Sequence, residues 1–206
     1  MNADSSWDDA RRLESWAGEY RLNLLRLVAL AGFYAYHLLD AYLLRDDPAV
    51  RGQYHVLVSA VAFAWAVGAM VLHLCLVNRW VPAALPYLAT AWDLVMITLV
   101  LVIGGDPRSV LAVLYLLVVA GAALRLALPL VYAATLGAMA AFLFFHGYVR
   151  FWLQLPAAER LAHPQQVLFL LALAVAGLLA GQVVRQGRRL SGGHPLAVVP
   201  PREGPR

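Results

Sequence analysis

Apolar residues fill this chain from Leu22 to Val184 in six stretches, separated by short polar joints. The hydrocarbon core of a bilayer is about 30 Å thick, so a spanning helix needs about 20 mostly apolar residues. Lipid offers no partner to an unpaired backbone group, which leaves helices as the natural way for such stretches to cross. The pattern predicts helices over 22–44, 54–77, 82–103, 109–126, 129–150 and 165–186. The joints run from Arg45 to Gln53, from Asn78 to Val81, from Gly104 to Arg108, through a turn at Ala127 and Leu128, and from Phe151 to Pro164. Only Arg125 and Pro129 divide the fourth helix from the fifth, so a five-helix count competes with six at that point. The expectation is an all-α, polytopic membrane protein with one six-helix transmembrane domain over 22–186.

The flanks read differently. Residues 1–21 carry Asp4, Asp8, Asp9 and Glu14 among their arginines, and the apolar run begins too late for a cleaved secretory signal. Ser6 and Asp9 have capping-box spacing, and Trp7, Ala10, Leu13, Ala17 and Tyr20 recur at helical intervals. This segment is expected to be an interfacial helix on the cytoplasmic surface, with a frayed tail as the alternative. After the sixth helix, Gly187, Gly192, Gly193, Pro195, Pro200 and Pro201 predict a disordered cytoplasmic tail over 187–206.

Charge then sets the orientation. Arg11, Arg12, Arg21, Arg26, Arg79, Arg125, Arg185, Arg188 and Arg189 fall on one side of the predicted membrane, and Arg45, Arg51, Arg108, Arg150 and Arg160 on the other. This asymmetry places both termini in the cytoplasm, with Trp80, Trp152 and Tyr54 at the water interfaces. The net charge of +4 follows from this topology, so no nucleic-acid partner is implied. The lone Cys75 lies in an apolar helix and allows no intramolecular disulfide. Small residues repeat at close-packing spacing: Ala60, Ala64 and Gly68; Ala133, Gly137 and Ala141; Gly177 and Gly181. Such faces let backbones approach, either within one chain or between two copies through the sixth helix.

Two constellations could carry chemistry. Asp93 lies near the middle of the third helix beside Trp92. An ionised carboxylate at that depth costs about 2.5–3.5 kcal/mol by insertion scales, so it must be paired, hydrated or protonated. Arg26 and Arg125 are the candidate partners, although both could instead snorkel to the interface. The second constellation is a set of histidines toward the outer surface: His37, one turn before Asp40, with His55, His146 and His163. Imidazoles from facing helices could bind a metal or the iron of a haem. The alternative is interfacial aromatics, because Tyr34, Tyr36, Tyr54 and Tyr148 surround them. His73 and His194 lie too far away to join.

No phosphate-binding Gly loop, HExxH pair, nucleophile elbow or paired catalytic carboxylates occur, so an enzyme is not expected. Nor are the helices broken by Gly and Pro in matching halves, as in many transporters.

At the third and fourth helices, Trp92, Asp93 and Leu94, then Ile97, Thr98 and Leu99, lead to Gly104, Gly105, Asp106, Pro107 and Arg108, followed by the aliphatic run Val110 to Leu117. This run resembles the membrane input domains of six-helix sensor histidine kinases of the redox-sensing and pilus-regulating types. Similar six-helix modules anchor bacterial adenylate cyclases. The likeness is closest from Leu85 to Ala141 and extends to the rest in helix count. It implies a multi-pass sensor in a bacterial cytoplasmic (inner) membrane, with Trp92, Asp93, Gly104, Gly105, Asp106, Arg108 and Arg125 in ligand binding or gating. Redox-sensing members carry Asn-Pro-Phe after the glycines, in the stretch tied to quinone binding, where this chain has Asp106, Pro107, Arg108 and Ser109. In those families a kinase or cyclase follows the sixth helix, whereas here a Gly/Pro-rich tail does, so the output protein is expected to be separate.

The leading expectation is thus a non-enzymatic membrane module that senses a small apolar or redox-active ligand, or anchors a partner complex. The first alternative is a structural or cofactor-bearing subunit of a membrane electron-transfer complex, with haem held by His37, His55 or His146, or with a quinone. The second is a small transporter.

Overall fold

The computed structural model describes residues 3–39, 42, 48–79, 82–156 and 161–192, with side chains over 18–39, 42, 52–79, 82–156 and 161–189. These residues form α1 (Ala3–Leu39), α2 (Pro48–Val77), α3 (Leu85–Gly104), a 3₁₀ turn (Val110–Val113) leading into α4 (Leu114–Leu124), α5 (Leu128–Phe151) and α6 (His163–Gly192). Among the described residues there is no strand. The expectations resting on Asp40, Arg45, Trp80, Arg160, His194 and the residues after 192 lie outside this set, as do those on the side chains of Trp7, Ala10, Arg11, Arg12, Leu13 and Arg51.

Five of the helices contain spans long and apolar enough to cross a membrane: Gly18–Leu39, Gly52–Val77, Leu85–Gly104, Leu128–Phe151 and His163–Arg189. The fourth segment, Val110–Leu124, is shorter. With its first four residues wound as 3₁₀ helix, it reaches about 25 Å. It is nonetheless a separate helix, which settles the count at six and makes this an all-α polytopic membrane protein.

Local chemistry explains where the helices start and stop. Pro86 and Pro129 occupy the first turns of α3 and α5, where a missing N–H breaks no hydrogen bond. Pro82 ends the preceding turn by accepting from Leu85 N–H, so α3 begins at Leu85, three residues later than the hydropathy pattern suggests. Gly105 closes α3 in the left-handed conformation (φ 63°), and its N–H donates to Leu101 O at 3.0 Å. Asp106 Oδ1 then accepts from Arg108 N–H, and Ser109 Oγ from Leu111 N–H, which turns the chain into the 3₁₀ segment. Between α4 and α5, Leu126 takes a left-handed φ of 52°, and Arg188 of α6 donates to its carbonyl at 2.9 Å.

At both ends the helices run on past the expected joints. No turn separates residues 3–21 from the first span, since α1 is continuous through Ala3–Leu39. Likewise α6 continues past residue 186 to Gly192.

α2 packs against both α1 and α3 and so joins the first helix to the rest. α1 and α2 form an antiparallel hairpin, joined by Asn23 to Ala69, Tyr34 to Ser59 and His37 to His55. α3 to α6 share the main core, in which Leu94, Ile97 and Leu101 meet Tyr115, Val119, Ala138, Phe142, Phe145 and Leu173. The close approaches use the small residues. A β-carbon on Gly137 would strike Leu94, one on Gly177 would strike Thr135, and one on Gly68 would strike the Trp92 indole. Gly177 and Gly181 both face α5, so the small face of α6 packs within the chain. Most large apolar side chains that remain exposed, such as Phe63, Leu136 and Leu178, point away from these contacts, as a lipid-facing surface requires.

Candidate functional site

The intramembrane carboxylate is paired, and the bundle's polar groups gather around it. Asp93 lies eight residues into α3, about 12 Å along its axis. Its Oδ1 accepts from Arg26 Nε at 2.8 Å and its Oδ2 from the same nitrogen at 3.0 Å and from Arg26 Nη2 at 2.6 Å. Trp65 of α2 adds its indole N–H to Oδ1 at 2.9 Å. Both charged side chains are nearly enclosed, at 10% and 13% exposure. Arg26 Nη1 donates to Asn23 Oδ1 at 3.0 Å, and Asn23 Nδ2 donates to the Ala69 carbonyl at 3.1 Å. A forked guanidinium suits this role because its planar donors match a carboxylate pairwise.

Of the two candidate partners, Arg26 therefore holds Asp93. Arg125, at the C-terminal end of α4, instead places Nε 2.8 Å from Glu19 Oε1 of α1, off the line of a hydrogen bond, so the contact is an ion pair. Its Nη1 donates to Thr90 Oγ1 at 2.8 Å and to the Pro86 carbonyl at 3.2 Å. Two ion pairs thus tie α1 to the central bundle, one to α3 and one to the end of α4.

Between these anchors lies a cavity of about 390 Å³, open between α1 and α4. Leu25, Ala29 and Phe33 form one wall, Leu117, Val118 and Gly121 the other, and Thr90, Asp93 and Trp65 line its interior. Its surface is apolar except where Arg26, Asp93, Thr90 and Arg125 reach it. Two carboxylates and two guanidiniums compensate one another, so the site can hold an uncharged or amphipathic molecule without bringing in a counterion. Among the described residues no group of three or more His, Cys, Asp or Glu is placed to hold a metal.

The other expected site residues are dispersed. Trp92 takes no part in the charge pair; it is 37% exposed and seated on Gly68 of α2. Gly104, Gly105, Asp106 and Arg108 build the turn at the far end of α3, eleven or more residues from Asp93, and shape the entry to α4. His37 and His55 are together: Nε2 of one lies 3.2 Å from Nδ1 of the other, with the rings nearly parallel. That geometry is a hydrogen-bonded imidazole pair and leaves no room for an ion between the two nitrogens. His146 stands elsewhere, on α5 between the rings of Phe142 and Phe145.

Glu19, Asn23, Trp65 and Thr90 belong to the site and were not singled out by the sequence reading. A signal for two of them was present, since Glu19 and Asn23 stand with Arg26 at i, i+4 and i+7, a polar stripe along one face of α1. On α3, Thr90 and Asp93 form a matching pair at i, i+3.

Comparison with known families agrees with this architecture. Residues 12–189 match the family model of the PilS-like transmembrane domain. Neither a curated protein nor a solved structure matches the chain. The likeness to sensor-kinase input domains drawn from Leu85 to Ala141 thus extends over nearly the whole sequence, from α1 through α6, and fits a membrane sensor module. The chain belongs to the PilS-like six-helix transmembrane domain family.

Proposed function

We propose that this protein is a non-enzymatic sensor module of a bacterial inner membrane that takes a small apolar or amphipathic ligand into the α1–α4 cavity and passes the change to a separate partner protein. The arginine asymmetry supports cytoplasmic termini, which puts the Glu19–Arg125 contact toward the cytoplasmic end and Asp93 deeper in the membrane. The observation that carries the reading is the wiring of α1. Its attachment to α3 and α4 runs through two ion pairs that flank one cavity, so a ligand entering there competes with the contacts that position α1. A helix displaced at that point moves its own N-terminal turns, where a cytoplasmic partner would meet it.

The partner is identified by purifying the tagged protein in mild detergent and determining what co-purifies in stoichiometric amounts. Its activity is then measured with Asp93→Asn and with Gly121→Phe. Gly121 lines the cavity and a β-carbon there would meet nothing within 4 Å, so the replacement directs a bulky side chain into the site. Both replacements should shift partner output while the protein still inserts. Unchanged output with both would remove the cavity from the mechanism. The alternative of a cofactor-bearing subunit finds no support in the histidine geometry, because His37 and His55 bond each other and His146 lies apart.

A further inference from the structure

The α1–α4 cavity runs along the helices as a slot. Its lining extends from Leu22 to Phe33 on α1 and from Leu114 to Arg125 on α4, eleven positions or about 16 Å in each case. The contacts fix the directions. α1 rises from Glu19 to Arg26 as α3 rises from Thr90 to Asp93, and α4 returns the other way to bring Arg125 beside Thr90. One end of the slot is therefore polar, at Arg125 and Thr90, and the other is apolar, at Phe33, Ile97 and Leu114. Leu25, Leu117 and Leu124 are exposed on its α1 and α4 walls, so its opening faces the bilayer.

The charged groups on the wall are not equivalent. Arg26 and Asp93 satisfy each other: every guanidinium nitrogen of Arg26 already donates, and both oxygens of Asp93 already accept. Arg125 is different. Its Nη1 donates to Thr90 and Pro86, and its Nε is sealed against Glu19, while Nη2 has no hydrogen-bond partner among the described residues and is not sealed. A donor left open at the polar end of an otherwise apolar slot calls for one acceptor. The Glu19 carboxylate already lies 2.8 Å from the same guanidinium, so an uncharged acceptor suits the place. A second carboxylate would have to share or displace Glu19 where the two side chains are only 12% and 7% exposed, leaving one anion without its counter-charge.

We infer that the slot takes a single-chain, uncharged acyl ester or amide from the bilayer, its carbonyl oxygen accepting from Arg125 Nη2 and its chain lying past Trp65 toward Phe33. The volume of about 390 Å³ is near the lower end of the range of about 300–1,000 Å³ for sites that hold one small molecule, which suits one chain. This assignment rests on the reading of the cavity as the ligand site and makes Arg125, not Asp93, the residue that selects the head group.

The protein in phosphatidylcholine nanodiscs is titrated with radiolabelled methyl myristate in a scintillation proximity assay, with empty nanodiscs as baseline and unlabelled methyl myristate, myristate and tetradecane as competitors. Saturable binding is expected, with myristate and tetradecane each at least about tenfold weaker than the ester. Arg125→Lys keeps a cation for Glu19 but loses the planar fork, and should weaken the ester about tenfold while leaving tetradecane unmoved. Gly121→Phe, away from both ion pairs, should abolish saturable binding. The inference is overturned by absence of saturable binding, by myristate or tetradecane competing as well as the ester, or by an affinity that ignores both replacements. Partner output that shifts with Gly121→Phe although the ester does not bind would overturn the ligand class and leave the cavity as the signalling site. Arg125-dependent binding beside a partner output indifferent to Gly121→Phe would support the ligand class and remove the signalling role.

Discussion

The Arg26–Asp93 pair offers a quantitative test of how α1 is held. The two side chains share three N–H to oxygen contacts between 2.6 and 3.0 Å, with exposures of 10% and 13%, so neither reaches bulk water. Unit charges about 4 Å apart attract by about 4 kcal/mol at an effective dielectric of 20, the order appropriate to partly enclosed pairs. Breaking such a pair by removing one partner strands the other and costs about 3–5 kcal/mol, whereas replacing both together is often close to neutral. Asp93→Asn and Arg26→Gln should therefore each lower stability by about 3 kcal/mol. The double replacement should cost clearly less than the sum, with a coupling of about 2 kcal/mol or more.

The measurement is a double-mutant cycle on the purified protein, unfolded by SDS in mixed micelles and followed by tryptophan fluorescence. Trp65 is a useful reporter, since its indole N–H bonds the same carboxylate. Hydrogen bonds between membrane helices average only about 0.6 kcal/mol and reach about 1.7, because the separated helices also find partners in the membrane. A coupling inside that lower range would mean that the pair acts as an ordinary polar contact. Strict additivity would refute the argument that Arg26 and Asp93 neutralise each other, and would return Arg26 to the role of an interfacial anchor.

Two further outcomes follow from the packing and the buried hydroxyls. Gly177→Leu puts a side chain into the space held by Thr135, and Gly68→Leu into that held by Trp92, so each should destabilise by about 1–3 kcal/mol in the same assay; a neutral effect at both would mean that the helices do not approach as described. Thr98 Oγ1 donates to the Leu94 carbonyl at 2.6 Å, so its one proton is committed and Tyr115 must donate to it across 2.8 Å; Tyr115→Phe should cost about 0.6–1.7 kcal/mol, and Thr98→Val, which leaves the tyrosine proton without an acceptor, should cost at least as much.

How much of this was legible in the residues depends on the kind of contact. Helix number and most span boundaries follow from hydropathy, which acts one segment at a time. The fourth helix was the least distinct, because a 3₁₀ turn and an 11-residue α-helix give a weak signal and the break after it is made by Leu126 in an unusual conformation, held by an arginine from α6. The need of Asp93 for a partner was also readable, from the cost of a charge in lipid. The choice between Arg26 and Arg125 was not. That choice depends on which helices are neighbours and at what depth they meet, and Arg125 stops beside Pro86 and Thr90, about one turn short of the carboxylate.

The same reasoning singles out α1 among the helices. Between helices in lipid the hydrophobic effect contributes little, so packing and polar contacts decide where each one sits. α3 to α6 are joined by an interlocked core of aliphatic and aromatic side chains and by glycines at close approaches. Among its described side chains, the buried seam of α1 is Asn23, Leu30 and His37, one to every two turns, and two of these three are polar. Among the same side chains, the ion pairs that hold it to α3 and α4 come from Arg26 and Glu19. A charge pair can pass to new polar partners when a ligand or water supplies them, whereas a packed core separates only by opening voids. If any helix of this bundle changes position when the cavity fills, the energetics favour α1. Cross-linking Asn23 to Ala69, replaced together by cysteines, fixes it to α2 at the point where they already touch, and should hold partner output constant whatever occupies the cavity. Output that still responds with the cross-link in place would assign the movement to another element.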